Sequence, residues 1–206
     1  KKIKEAIQKT YGGGPNDGVF AILSRDGSRV LYATYLGGSG DDQGFALYLN
    51  DTGDVFVTGR SDSTDMFTTP GAYQSANAGN FDSIVVRFDW NASAALYSTY
   101  VGSMFLDYGD GIRVDEQGCV YVAGGTNFAD FPTTPGAFDT SHNGGYDVVA
   151  YKLSANGSAL LYSTFIGGAG FDYGHGLEIG GNGWAYIGGS TSSAAYPVTA
   201  DAYQSS

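Results

Sequence analysis

The stretch "LYSTYVGSMFLDYGDG", residues 96–111, reads as a strand that runs into a turn made of Gly and Asp. Nearly the same words stand upstream as "LYATYLGGSGDDQGFA", residues 31–46, and downstream as "LYSTFIGGAGFDYGHG", residues 161–176. Sliding the chain on itself by 65 residues superimposes Asp17, Asp82 and Asp147, then Tyr32, Tyr97 and Tyr162, then Gly53, Gly118 and Gly183, with no insertion or deletion. Internal self-similarity at a fixed period is the mark of a repeat architecture. Three units follow, at 12–76, 77–141 and 142–206, preceded by a basic segment at 1–11.

Within the second unit, "SIVVRF" (83–88), "ALYSTYV" (95–101), "GIRV" (111–114) and "CVYVAG" (119–124) are bounded by Gly, Asn or Asp and predict four strands. The short joints "DWNASA" and "DEQG" suit antiparallel hairpins. The remainder, "GTNFADFPTTPGAFDTSHNGGY", is too aromatic for a free linker. It predicts an ordered loop, with Met66, Phe131 and Tyr196 as plugs at equivalent positions.

Composition agrees with an all-β reading. Thirty-three Gly, 16 Tyr and 12 Phe suit pleated strands and tight turns, and only three of the acids are Glu. The net charge is −11, although "KKIKEAIQKT" at the start holds four Lys and one Glu. So acidic a body repels phosphate backbones, which argues against nucleic acid as a partner. No apolar run approaches the length of a membrane span. The lone Cys119 lies in an apolar strand-like run and reads as a small core residue.

The run "DYGDGIRVDEQGCVYVAGGTNFADFPTTPGAF", with "DSIVVRF" before it and "LYSTYVG" between, resembles the bacterial and archaeal β-propeller repeat family called SBBP. The resemblance covers residues 12–206. It implies propeller-type blades of four antiparallel strands, extracellular or cell-surface placement, and no particular reaction. The third unit departs at "AAYPVTADAY", where Ala200 and Asp201 replace a Pro-Gly pair and put the turn in question. The phrases at 111–115 and 120–124 resemble the innermost two strands of NHL-type propellers. That phase implies an outer strand pair at the start of the chain, two complete blades, and an inner pair at its end.

Three blades do not close a ring, since propellers generally have about four to eight. Either the sequence is a piece of a longer array, as in a larger secreted protein or enzyme, or the complementary half-blades predict a head-to-tail assembly of copies by strand sharing, as a ring or a filament. Residues 1–10, with Ile3 and Ile7 four apart, predict a short amphipathic helix against the acidic neighbour.

Among candidate site residues, Asp42, Asp107 and Asp172 enter the proposed inner strands and are candidate ligands for Ca²⁺, against a plainer role in local turns. Asp17, Asp82 and Asp147 are read as anchors of the outer strands. Tyr108 and Tyr173, beside the repeated Asp, are candidate contacts for a polysaccharide. Asn50, Asn91 and Asn156 each open a glycosylation sequon in a hairpin turn. His142 and His175 stand at unrelated repeat positions and lack the company that hydrolytic catalysis needs, so no enzyme activity is expected.

Overall fold

The computed structural model describes residues 5–204 apart from Ser93. Twelve strands follow one another: β1 (Gly18–Leu23), β2 (Val30–Leu36), β3 (Asp42–Leu49), β4 (Val55–Ser61), β5 (Asp82–Phe88), β6 (Ala95–Val101), β7 (Asp107–Val114), β8 (Val120–Thr126), β9 (Asp147–Leu153), β10 (Leu160–Ile166), β11 (Asp172–Ile179) and β12 (Ala185–Thr191). They form four antiparallel sheets, ordered β1-β2, β3-β4-β5-β6, β7-β8-β9-β10 and β11-β12.

Each unit supplies four strands, but no sheet is a unit. β4 pairs with β5 from Val55 opposite Phe88 to Ser61 opposite Asp82, across the boundary of the first and second units. β8 pairs with β9 the same way, from Val120 opposite Leu153 to Thr126 opposite Asp147. The two-four-four-two pattern is therefore offset by half a unit from the sequence repeat.

The sheets stack through their apolar faces. Phe20, Tyr32 and Leu36 pack on Ile84, Val86 and Phe88 between the first and second sheets. Phe56, Val85 and Tyr97 pack on Ile112, Val122 and Tyr151 between the second and third. A smaller cluster of Tyr121, Ala123 and Leu177 joins the fourth. The loops after β4 and β8 plug the stack, with Met66 and Phe131 buried. Tyr196, at the same position after β12, is only half-buried, because among the described residues β12 has no strand pair beside it like β5-β6 or β9-β10 to pack on.

No helix occurs among the described residues, so none is long and apolar enough to cross a membrane. The N-terminal helix is corrected over its described part; residues 1–4 lie outside the described residues. The physical reason is that residues 6–9 have a better partner than themselves. Gln8 N–H donates to Thr34 Oγ1 at 2.9 Å and Tyr35 N–H donates to the Gln8 carbonyl at 3.2 Å, so the segment lies irregularly along β2. Two turns of isolated helix are marginal in water and lose to these contacts.

The turn of the third unit survives its substitutions. Ala202 N–H donates to the Thr199 carbonyl at 3.1 Å, as Ala72 does to Thr69 and Ala137 to Thr134. Gly71 and Gly136 use φ of 83° and 82° there, whereas Asp201 stays out of the left-handed region.

Candidate functional site

Asp42, Asp107 and Asp172 open β3, β7 and β11 and are fully buried. In each, Oδ2 accepts a backbone N–H from four residues upstream: Gly38 at 2.7 Å, Ser103 at 2.6 Å and Gly168 at 2.7 Å. Hydroxyls from the adjoining strand and loop complete the set for Asp42 and Asp172, whereas Asp107 takes the Ser103 hydroxyl of its own turn on Oδ2 and keeps Oδ1 buried without a partner. Ser61 and Ser63 donate to Asp42, and Thr191 and Ser193 donate to Asp172. These carboxylates tie each tight turn to the strand that leaves it, which is the local role open to Asp in a Gly-rich turn. Among the described residues no three His, Cys, Asp or Glu side chains gather as a metal site, so the three candidate Ca²⁺ ligands do not converge.

The second set does a matching job for β1, β5 and β9. Asp82 Oδ2 accepts Gln74 Nε2 at 2.5 Å and Ala78 N–H at 2.8 Å, and Asp147 Oδ2 accepts Asn143 N–H at 2.7 Å. Asp17 Oδ2 accepts Gly12 N–H at 2.7 Å and Gln8 Nε2 at 3.2 Å. In all three, Oδ1 is buried without a hydrogen-bond partner. Burial pushes the Asp82 carboxyl up to about 7, helped by the Asp107 charge, and it pushes Asp107 up to about 6. Burial also raises Asp147.

Tyr108 is buried against Gly125 and offers a ligand no ring face. Tyr173 is half-exposed in a row with Phe171 and His175, with ring planes 10° and 12° apart. His175 Nδ1 lies 3.1 Å from Asp110 Oδ2 on the neighbouring β7, and Arg113 meets Glu178 in the next pair along the same strands. Asn50, Asn91 and Asn156 all fall in hairpin turns, where Asn50 Oδ1 accepts Asp54 N–H at 2.8 Å and Asn156 Oδ1 accepts the Ser158 hydroxyl at 2.8 Å. Asn156 is exposed; Ser93, the third residue of the middle sequon, lies outside the described residues.

The two end faces differ most from their internal counterparts. On the first sheet, Val19 is 67% and Leu23 58% exposed, whereas Ile84 and Phe88, one repeat on, are 0% and 1% exposed. Leu47 and Leu49 are exposed, while Ile112 and Val114 are buried. At the opposite end Tyr186 is exposed, although its equivalents Phe56 and Tyr121 are buried. A cavity of about 560 Å³ opens beside Phe20, Leu23, Leu47, Leu49, Val55 and Trp90. A second, of about 380 Å³, opens beside Gln8, Val19, Ala21, Ala33, Thr34 and Tyr35.

Sequence reasoning missed Gln8 and Gln74. Gln74 N–H donates to Thr99 Oγ1 at 3.0 Å, Tyr100 N–H donates to the Gln74 carbonyl at 3.0 Å, and Gly102 N–H donates to Gln74 Oε1 at 3.0 Å. Gln8 repeats this pattern on Thr34, Tyr35 and Gly37. The signal is "AIQ" at 6–8 against "AYQ" at 72–74, an offset of 66 that a strict period of 65 passes over. No family model matches the chain, and no curated protein matches it.

Proposed function

We propose that the protein is a non-enzymatic β-propeller repeat protein of the SBBP type, extracellular or on the cell surface, whose four sheets are successive blades and whose copies join head to tail. The observation that carries this is the match between the two open edges. β12 is the repeat-equivalent of β4 and β8, and β1 that of β5 and β9; those internal pairs are antiparallel and unbroken. The same pairing between copies puts Ala185 opposite Leu23 and Ser190 opposite Gly18. Neither β1 nor β12 carries a charge or a proline, the usual guards of an exposed edge.

The side chains agree with the backbone. Tyr186 arrives at Leu47 and Leu49 of the next copy, as Phe56 packs with Ile112 and Val114 inside the chain, and the cavity of about 560 Å³ receives it. Strand sharing of this kind builds a ring or a filament, according to the rotation from one copy to the next.

Gly188 gives a clean test. Nothing lies within 4 Å of a Cβ built there, so Gly188→Lys leaves the fold intact, yet its equivalents Thr58 and Ala123 are wholly buried. Light scattering on residues 1–206 should give at least twice the 21.5 kDa chain mass, and Gly188→Lys should give a monomer. A wild-type monomer at micromolar concentration, or an assembly indifferent to Gly188→Lys, overturns the proposal.

Glycan contact is a second reading, favoured by the aligned rings of Phe171, Tyr173 and His175. Polysaccharide pull-down lost on Tyr173→Ala supports it.

A further inference from the structure

We infer that residues 196–204 are a docking tail for an adjoining copy, with Tyr196 seated in the cavity of about 380 Å³ on its first sheet and Gln204 taking the place on β2 that Gln8 holds. This rests on the head-to-tail reading and deepens it.

The internal repeats show both contacts already made. Phe131, one repeat before Tyr196, packs on Tyr151 and Phe165 with ring centroids 6.0 and 6.3 Å apart. Met66, another repeat earlier, is buried with Val86 and Tyr100. Moved back one unit more, the same seat is bounded by Ala21 and Tyr35, and both line the open cavity. Ala21 stands where the other copies have Val86 and Tyr151, so the seat widens where its plug would be a tyrosine. Ser163 Oγ holds the plug loop by donating to the Pro132 carbonyl at 2.6 Å, and Ser98 Oγ holds Phe67 in the same way at 2.7 Å. Ala33 lacks that hydroxyl, so this seat binds by shape.

Farther along, "AYQS" at 202–205 repeats "AYQS" at 72–75 letter for letter. Tyr73 packs against the core between the second and third sheets, whereas Tyr203 is fully exposed. The strand that a segment of this kind grips is marked by a central threonine: Thr99 for Gln74, Thr164 for Asp139, Thr34 for Gln8. Only Thr34 is held by residues that precede the first strand of the chain. Residues 6–9 thus occupy the seat that an incoming Tyr203 and Gln204 would use, and a joining copy has to displace them.

The test uses a labelled peptide of residues 192–206 titrated against the full-length Gly188→Lys chain, whose own edge no longer joins, with fluorescence anisotropy as readout. Tyr196→Ala in the peptide, or Ala33→Phe in the protein to fill the cavity, should weaken binding about tenfold or more. Gln8→Ala should tighten it by loosening the resident segment. No binding, or binding indifferent to Tyr196→Ala and Ala33→Phe, overturns the inference. Copies that associate in light scattering without peptide binding overturn the tail and keep the assembly; a peptide that binds while wild-type copies stay monomeric does the reverse.

Discussion

Ser83 in β5 and Tyr151 in β9 share a hydrogen bond of 2.7 Å across the interface of the two four-stranded sheets, and both side chains are fully buried. Neither repeats: the equivalents of Ser83 are Gly18 and Val148, and those of Tyr151 are Ala21 and Val86. Tyr151→Phe strands the Ser83 hydroxyl and should cost about 1–3 kcal/mol, read by urea unfolding. Adding Ser83→Ala should recover part of that loss, so a double variant no better than Tyr151→Phe contradicts the pairing.

Asp82 and Asp107 set a stability slope toward neutral pH. Their folded values, raised to about 7 and about 6 mainly by burial, exceed the unfolded value of about 3.9. Folding therefore favours the protonated acids; that contribution is complete below pH about 4 and is lost as pH rises through 6 and 7. Melting temperature should fall between pH 5 and 7.5, and Asp82→Asn should flatten the fall. A flat profile in the wild-type protein is the contrary result.

Asp115 acts in the opposite sense. Burial works to raise its carboxyl, but hydrogen bonds from Lys152 and the Cys119 N–H hold it below the ordinary range. Its contribution is present above the unfolded value and is lost as pH falls through the lowered one. Lys152 Nζ lies 2.8 Å from Asp115 Oδ2 and 2.7 Å from Tyr121 Oη, in a pair whose side chains are 20% and 10% exposed. Lys152→Met should cost about 1–3 kcal/mol at pH 7, measured by denaturant midpoint. Breaking the exposed pair of Lys9 and Glu5 should leave the denaturant midpoint unchanged, because solvent screens it.

Calcium gives a third kind of check. The oxygens of Asp42 and Asp172 already accept backbone and hydroxyl donors, which a cation would have to displace. Melting temperatures in chelator and in millimolar Ca²⁺ should coincide. A rise with Ca²⁺ that Asp107→Asn abolishes would support the ligand reading instead.

Strand count, hairpin turns and the plugs at Met66 and Phe131 were legible in the sequence because each depends on neighbours within one unit: turn residues, apolar runs and a period of 65. The offset of the sheets was readable only through a likeness of phrases at 111–115 and 120–124. Hydrogen bonds between β4 and β5 decide it, and they cross a loop of some twenty residues. Residues 5–10 show the limit most plainly. Their charge and the spacing of Ile3 and Ile7 favour a helix locally, yet a longer-range contact of Gln8 with Thr34 wins, because β2 offers backbone partners that water would otherwise have to satisfy. The aspartates follow the same division. Their recurrence is written in the sequence, but which oxygen is satisfied and which is buried bare depends on hydroxyls and amides that only the folded sheets bring within 3 Å.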